Sequence, residues 1–169
     1  GGAVITNSKK LATKLRYYKN FGRKNSGEDI HNFFGYNFKI TDIQSLLALE
    51  QLKNVNKRIR IKKRIFDRYK KNLEKNPHIK FFNFSNKETP WSVDIYSNTI
   101  NKIKKILKKN KIFTRDVYPP LNSQKIYRNY KGLPISNYYC KRGLWLPSSL
   151  DLNNKDIDKI CNLINKHIL

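Results

Sequence analysis

The residues best suited to chemistry lie within residues 34–44, where a short polar motif comes directly before a helix signal. Thr41 and Gln44 have the spacing of a capping box, and Asp42 suits the positively charged first turn, so a helix is predicted to begin here. Free N–H groups at a helix start can bind an anion or a phosphate, and the Asn37 amide just before it can donate hydrogen bonds. An ordinary cap after a glycine turn would explain the same residues, so local chemistry leaves both interpretations open.

The histidines and cysteines do not have the spacing of a metal site or of a disulfide framework. His31, His78 and His167 are scattered, and Cys140 and Cys161 lack a CxxC motif or a nearby histidine pair. Only His31 lies close to the polar motif, which makes it a candidate site residue. Cys161 falls on an apolar helical face, so we expect a buried thiol there. This cysteine usage indicates a reducing compartment.

A formal net charge of +24 raises the question of nucleic-acid binding. The basic residues are concentrated in two helical patterns, at residues 53–71 and 102–109. No zinc-finger spacing, RNP-like aromatic run or GxxG loop is present, and a basic run on a helix is usually its solvated face. Lysine also rises together with asparagine and isoleucine, as AT-rich coding would produce. The pattern therefore disfavours a nucleic-acid partner, and a non-enzymatic basic binding module is kept as an alternative function.

The length and hydropathy of the chain limit which class of protein it can belong to. With 169 residues and 38% hydrophobic content, it can bury about two-thirds of its unfolded surface in a core. No apolar run approaches the roughly 18 residues that a bilayer-spanning helix needs, and no leader pattern opens the chain, so we expect a cytoplasmic protein without a membrane partner. Because the first residue is not Met, we expect the chain to be a piece of a longer protein.

Hydrophobic periodicity predicts alternating helices and strands, which indicates an α/β or α+β fold. Helices are predicted at residues 8–19, about 42–74 with a break near 54–56, 99–109, and from 153 or 154 to the end. Strands are predicted at residues 3–5, 79–84, 91–96 and 112–118. Residues 121–139 are predicted to be a loop, and Trp145 is expected in the core.

Residues 31–44 resemble the segment that DegT/StrS-type pyridoxal-phosphate-dependent sugar aminotransferases carry after their catalytic lysine. Residues 1–7 and the turn at 20–23 are similar to the family's preceding strand and "N-x-G-R" turn. Further matches follow in order at residues 114–115, 118–121 and 143–149, the last of them similar to perosamine-synthetase-like members. The resemblance covers essentially the whole chain, and several ordered matches are more specific than any single one.

The resemblance implies an α/β fold that forms the C-terminal portion of a fold-type-I transferase dependent on pyridoxal 5'-phosphate. Residues 1–52 would end the large domain and include a dimer-contact segment, residues 53–75 would be a connecting helix, and residues 76–169 a small α+β domain. The Schiff-base lysine would lie upstream of Gly1, so no catalytic residue is expected in this chain, which by itself should be inactive. The parent enzyme would move an amino group from glutamate to a nucleotide-linked 4-keto-6-deoxysugar.

The resemblance also implies roles for single residues. The family's counterpart of Asn37 donates to the cofactor phosphate of the partner subunit, which implies a homodimer with a shared active site. Lys39 stands where members usually have Arg, so it keeps a positive charge but loses the bidentate fork. Arg115 and Tyr118 match a loop near the substrate cleft and are candidates to bind the substrate, with a structural ion pair and a packed ring as the alternatives. His31, named above from its position beside the motif, is a third candidate to bind the substrate. The sugar dehydratase branch of the same fold, in which His replaces the lysine, is a second alternative function.

Overall fold

The computed structural model describes residues 2–25, 27–82, 84–85, 87–127 and 132–168. It divides into two compact units, Gly1–Asn54 (unit 1) and Val55–Leu169 (unit 2). Among the described residues, every helix is too short or too polar to cross a bilayer.

Unit 1 contains two helices whose starts are fixed by side-chain caps. Helix α1 spans Lys9–Lys19 and begins at Ser8, whose hydroxyl accepts a hydrogen bond from a backbone N–H of the first turn. Helix α2 spans Asp42–Lys53 and begins at Thr41 with the predicted capping box. The Thr41 hydroxyl accepts from the Gln44 N–H, and the Gln44 amide oxygen accepts from the Thr41 N–H. The short-range pattern was sufficient to predict this start because all of its partners lie within four residues.

Most apolar side chains of unit 1 are exposed. The prediction of a buried strand at residues 3–5 is wrong, because a strand needs a hydrogen-bonded neighbour and no described residue pairs with this segment. Leu11 and Tyr18 of α1 are also exposed. The apolar residues of α2 share this exposure, from Ile43 to Leu52. Unit 1 therefore presents a large apolar surface.

Unit 2 is an α+β unit whose elements in chain order are α3 (Val55–Leu73), β1 (Lys80–Phe81), β2 (Val93–Tyr96), α4 (Ile100–Lys109), β3 (Arg115–Asp116), α5 (Pro134–Cys140), β4 (Gly143–Leu146) and α6 (Asn154–His167). The strands form a four-stranded antiparallel sheet in the order β1-β2-β4-β3. Two short 3₁₀ turns, Leu121–Ser123 and Lys125–Tyr127, precede α5.

The helix boundaries agree well with the sequence pattern. The expected break in the long helical pattern lies at Asn54, which caps α2 before α3 begins. Asn153 caps α6 by accepting a hydrogen bond from the Asp156 N–H at 3.0 Å. The prediction of a continuous loop at residues 121–139 is wrong, since this segment contains α5. Pro134 starts that helix, where the missing proline N–H breaks no helical hydrogen bond. Residues 128–131 of the predicted loop lie outside the described residues.

The strands are shorter than predicted. The segment predicted at 79–84 pairs only over Lys80–Phe81, and Asn83 within it lies outside the described residues. The segment predicted at 112–118 pairs only over Arg115–Asp116. The length of a strand depends on how many residues of the neighbouring strand are available to pair with it, and the local sequence carries no information about that partner.

The core of unit 2 is formed by one face of the sheet together with α3, α4 and α6. Because side chains alternate along a strand, Val93 and Ile95 of β2 and Leu144 and Leu146 of β4 point to the same face. The helices complete this core with Ile65, Phe66, Tyr69, Leu73, Ile100, Ile103, Leu107, Ile157, Ile160, Cys161 and Ile164. Trp145 lies on the opposite face and is half-buried, so its expected core position is wrong.

A polar contact joins α3 to α6 beside this core. The Arg68 guanidinium donates from Nε and Nη2 to the two carboxylate oxygens of Asp158, at 2.7 and 2.5 Å, and Asn72 Nδ2 donates to the same carboxylate at 2.7 Å. These donors lower the pKa of Asp158. Farther along, Asn76 Nδ2 donates to the Ile168 carbonyl at 2.8 Å. We call these polar contacts between α3 and α6 the polar seam. Their directional hydrogen bonds fix the register of the two helices, which apolar packing alone does not do.

The two cysteines are expected to differ sharply in reactivity. Cys161 is 1% exposed, and burial raises its pKa to about 12, whereas Cys140 at the end of α5 is partly accessible. Because the thiolate is the reactive form, we expect a maleimide to label Cys140 in the native chain and Cys161 only after unfolding. Peptide mapping by mass spectrometry measures this, and Cys140→Ser should abolish native labelling. Rapid native labelling of Cys161 would contradict the buried position.

Candidate functional site

The segment that carries His31 and Asn37 is paired with the turn that follows α1. Isolated antiparallel bridges join Asn37 to Asn20 and His31 to Arg23. Backbone hydrogen bonds of 3.0 and 3.1 Å flank the first bridge on its two sides. We call residues 20–23 and 31–37 the paired segment. It fixes the backbone of both candidate residues in register.

Two glycines allow the close approach within the paired segment. Gly22 has a φ of +74°, and a Cβ placed on it would lie 1.8 Å from the Phe33 carbonyl oxygen. A Cβ on Gly35 would lie 2.1 Å from the Gly22 nitrogen. Both distances are far below van der Waals contact, so the backbones can approach this closely only with glycine at both positions.

His31 has a defined tautomer. Its Nδ1 lies 2.8 Å from the Phe21 carbonyl oxygen, which can only accept, so Nδ1 carries the proton and donates it. In the neutral ring, Nε2 is then left as an acceptor. His31 is exposed, and its ring is oriented by a main-chain contact within the paired segment.

Arg23 ties the turn together and was not singled out as a site residue by the sequence pattern. Its guanidinium donates from Nη1 to Asp29 at 2.9 Å and from Nη2 to the Asn20 side chain at 3.1 Å. It also lies 5.1 Å from the centre of the Phe21 ring. Its Nε is buried without a hydrogen-bond partner among the described residues. The "N-x-G-R" resemblance was the available signal, because it matches both ends of this contact.

Asn37 and Lys39 present hydrogen-bond donors to solvent. The Asn37 side chain is exposed, and within the described part of the chain its amide makes no hydrogen bond. The Lys39 ammonium lies 4.8 Å from the centre of the Phe21 ring, a cation–π contact that limits its mobility. An amide N–H₂ and an ammonium group together suit a phosphate or carboxylate ligand.

The start of α2 is less suited to an anion than the sequence suggested. The capping box already uses the N–H groups of Thr41 and Gln44, at 2.9 and 3.3 Å. Asp42 adds a carboxylate in the first turn, which repels another anion. The structure thus supports the ordinary-cap interpretation of the helix start itself, and the side chains of Asn37 and Lys39 are the groups left to hold an anion.

In unit 2, Arg115 and Tyr118 lie together and Trp145 joins them. The Arg115 guanidinium lies 5.0 Å from the Tyr118 ring centre and 5.1 Å from that of Trp145. The two rings are edge-to-face, with centroids 5.0 Å apart. Arg115 pairs with Trp145 across β3 and β4, which explains the contact. The alternation of Leu144, Trp145 and Leu146 was the signal that could have placed Trp145 on this face.

The expected site residues therefore form two groups, one in each unit. His31, Asn37 and Lys39 belong to unit 1, and Arg115 and Tyr118 belong to unit 2. In the part of the chain that the structure describes, no cluster of three or more His, Cys, Asp or Glu residues could hold a metal ion.

Several residues of the basic run on α3 have structural partners. Arg64 donates to the Asn154 side chain at 3.0 Å and to the Leu152 carbonyl at 2.6 Å, which ties α3 to the start of α6. Arg68 forms an ion pair with Asp158 in the polar seam between α3 and α6. Part of the positive charge thus serves the packing of unit 2, which weakens the argument from net charge to nucleic-acid binding.

Comparison with known proteins identifies the chain's relatives. The profile of the DegT/DnrJ/EryC1/StrS aminotransferase family matches residues 1–165. A GDP-perosamine synthase of Escherichia coli O157:H7 is 31% identical over 98% of this chain and 47% of its own length. A dTDP-4-amino-4,6-dideoxy-D-glucose transaminase of Escherichia coli is 29% identical over 97% of this chain and 47% of its own length.

Solved structures share the same fold. A DegT/DnrJ/EryC1/StrS aminotransferase from Brucella abortus superposes with a TM-score of 0.85 and 28% identity, over 96% of this chain and 45% of that one. The chain thus spans about half the length of the relatives it matches, and the expected α/β transferase fold is confirmed. The names of these relatives favour neither the dehydratase nor the nucleic-acid-binding alternative. Since the family profile covers nearly all of its residues, the chain belongs to the DegT/DnrJ/EryC1/StrS aminotransferase family.

Proposed function

We propose that this chain is part of a sugar-nucleotide aminotransferase that moves an amino group from glutamate to a nucleotide-linked 4-keto-6-deoxysugar. The observation that carries the proposal is the family match over residues 1–165, supported by relatives named as a perosamine synthase and a sugar transaminase. Because the chain spans about half of those relatives, the activity is assigned to the complete protein. The Schiff-base lysine would be contributed by residues outside this chain.

The cofactor proposed for the complete enzyme is pyridoxal 5'-phosphate, which when bound supplies an electron sink for moving the amino group. The donors of unit 1 fit its phosphate: the Asn37 amide is exposed and unpaired among the described residues, and the Lys39 ammonium is held over Phe21. We assign Asn37 to the phosphate bound by the partner subunit of a homodimer. Lys39 would act there as a point charge, without the bidentate geometry of an arginine.

The other candidate residues would act on the substrate. His31 would present Nε2 as an acceptor to a substrate hydroxyl, because its Nδ1 is committed to the Phe21 carbonyl. Arg115 would bind an anionic group of the substrate, and the Tyr118 ring would hold the guanidinium plane in position. Each of these roles depends on orientation, which the Phe21 carbonyl provides for His31 and the Tyr118 and Trp145 rings provide for Arg115.

Replacing Asn37 is expected to weaken cofactor binding without unfolding the protein. The Asn37→Ala variant of the complete protein should remain dimeric but lose about tenfold or more in affinity for pyridoxal phosphate, as expected for loss of one hydrogen bond to a charged group. Equilibrium dialysis measures the affinity, and Asn101→Ala, at an exposed position of α4, is the matched control. An unchanged affinity would remove Asn37 from the site.

The reaction itself is tested with the complete protein, glutamate and a nucleotide-linked 4-keto-6-deoxysugar. Formation of 2-oxoglutarate together with an aminated sugar nucleotide, followed by mass spectrometry, supports transamination. A deoxygenated product without a new amino group would instead support the dehydratase branch.

A further inference from the structure

A cavity lies on the sheet of unit 2. It is open and has a volume of about 500 Å³, within the size range of small-molecule sites. Its walls come from α3, from the segment before β2, from β3, and from β4 with the turn that follows it. We call it the sheet cavity. None of the described residues that line it is Asp or Glu.

The sheet cavity contains both tryptophans of the chain. Trp91 is 84% exposed, and Phe113 beside it is 86% exposed. Trp145 is half-buried, and its Nε1 is buried without a hydrogen-bond partner in the described residues. Large aromatic faces that remain open to solvent next to an unpaired donor are typical of surfaces on which a flat ligand stacks.

Arg115 brings an unpaired cation to the sheet cavity. Its guanidinium contacts two ring faces, and no carboxylate pairs with it among the described residues. The neighbouring Asp116 is occupied by Lys104. Asp94 lies two strands away, with Trp145 between them in register, which places it about 10 Å from Arg115 along the sheet. The N–H donors of Arg115 are therefore available to an anion.

Lys62 supplies a second cation. Its ammonium donates to the Ser148 carbonyl at 2.7 Å and to the Trp91 carbonyl at 3.1 Å, so one of its three N–H groups has no partner among the described residues. Burial lowers the pKa of Lys62, as expected for an ammonium whose partners are neutral carbonyls. An anion bound beside it would offset this desolvation.

We propose that the sheet cavity binds a nucleoside diphosphate, with Arg115 and Lys62 on the phosphates and the indole of Trp91 against the base. The inference rests on the proposed function and specifies which group of the sugar nucleotide this unit holds. Among the described residues neither cation has a carboxylate partner, so the pair suits a multiply charged anion, whereas a neutral sugar would leave both positive charges without a counter-charge. An inorganic anion would not use the exposed ring faces. A ligand that combines phosphates with a flat base matches both features.

The experiment is a titration of the 169-residue chain with GDP at moderate salt, followed by tryptophan fluorescence and by calorimetry. Both fluorophores line the sheet cavity, so binding there should give a saturable change in emission. Arg115→Gln and Lys62→Gln should each weaken binding by about tenfold or more, as for loss of a charge-assisted hydrogen bond. Trp91→Leu should weaken GDP more than pyrophosphate, because only GDP has a base to stack.

A matched control separates a specific site from the bulk charge. Lys105→Gln removes one positive charge from an exposed position of α4 and should leave the affinity for GDP unchanged within about twofold. Arg115→Lys, which keeps the charge but loses the planar fork, should bind with intermediate affinity. Circular dichroism of each variant shows whether the fold is retained.

Three outcomes would overturn the proposal: no saturable response to millimolar GDP in the folded chain, equal losses for Arg115→Gln and Lys105→Gln, or pyrophosphate binding as tightly as GDP. The titration needs no cofactor and no turnover. A failed GDP titration would therefore not affect the transamination assay or the Asn37→Ala result. Conversely, if transamination and the Asn37→Ala effect were both absent, a measured GDP affinity would need another explanation than the proposed aminotransferase.

Discussion

Alanine at Gly22 or Gly35 is expected to open the paired segment and release Asn37 while unit 2 stays folded. In both variants the new Cβ would lie within about 2 Å of backbone atoms, at 1.8 Å for Gly22 and 2.1 Å for Gly35. A backbone cannot rotate away as a side chain can, so the two backbone stretches of the paired segment must separate. Asn37 would then lose the bridge to Asn20 that fixes its position.

The other glycines of unit 1 provide matched controls for this result. Gly27 also has a positive φ, +96°, but a Cβ there meets nothing within 4 Å, so Gly27→Ala should cost only the conformational strain of about 1 kcal/mol. Gly2 has open space and no positive φ, so Gly2→Ala should have no measurable effect. Together with Gly22 and Gly35, these variants separate steric clash from backbone strain.

Hydrogen exchange measures the outcome. The N–H groups of Phe21, Tyr36 and Phe38 donate between residues 18–21 and 36–38, within the paired segment or directly beside it. Their protection should fall to that of an unfolded chain in Gly22→Ala and Gly35→Ala. Protection of α3 and α6 should not change. If Gly35→Ala retained the protection of these three amides, the close approach of the two backbones would be disproved.

Leu144→Ala is expected to destabilise unit 2 by about 2–5 kcal/mol, the usual cost of truncating a fully buried leucine. Leu144 is 0% exposed, and its strand β4 lies between β2 and β3, so the cavity would open where the sheet meets the helices. A loss of this size is a large share of the 5–15 kcal/mol by which domains are typically stable. We therefore expect a strongly lowered urea midpoint.

Tryptophan fluorescence reports on this transition selectively, because Trp91 and Trp145 both belong to unit 2. Leu121→Ala makes the same substitution at a side chain that is 67% exposed, and its urea midpoint should stay close to that of the parent chain. Equal midpoints for Leu144→Ala and Leu121→Ala would contradict the assignment of β4 to the core.

Part of the candidate site could be predicted from local chemistry, and the rest came from the resemblance. Asn37 was indicated by the predicted helix start and His31 by its position beside that motif, whereas Lys39, Arg115 and Tyr118 were named from the resemblance. The binding roles of all five stay predictions. Lys62 and Trp91 were not named, because nothing local connects them to Arg115. The sheet brings them together, through pairings such as Arg115 with Trp145 between residues far apart in the chain.

The sequence by itself determined the features whose partners lie within a few residues. The caps at Thr41 and Asn153 and the break at Asn54 are of this kind, because a helix end is satisfied by its own neighbours. The tertiary structure decided the short strands, the face on which Trp145 lies, and helix α5 within a segment predicted to be a loop. Those features depend on which distant strand or helix provides the hydrogen bonds and the apolar cover, and no local pattern contains that choice.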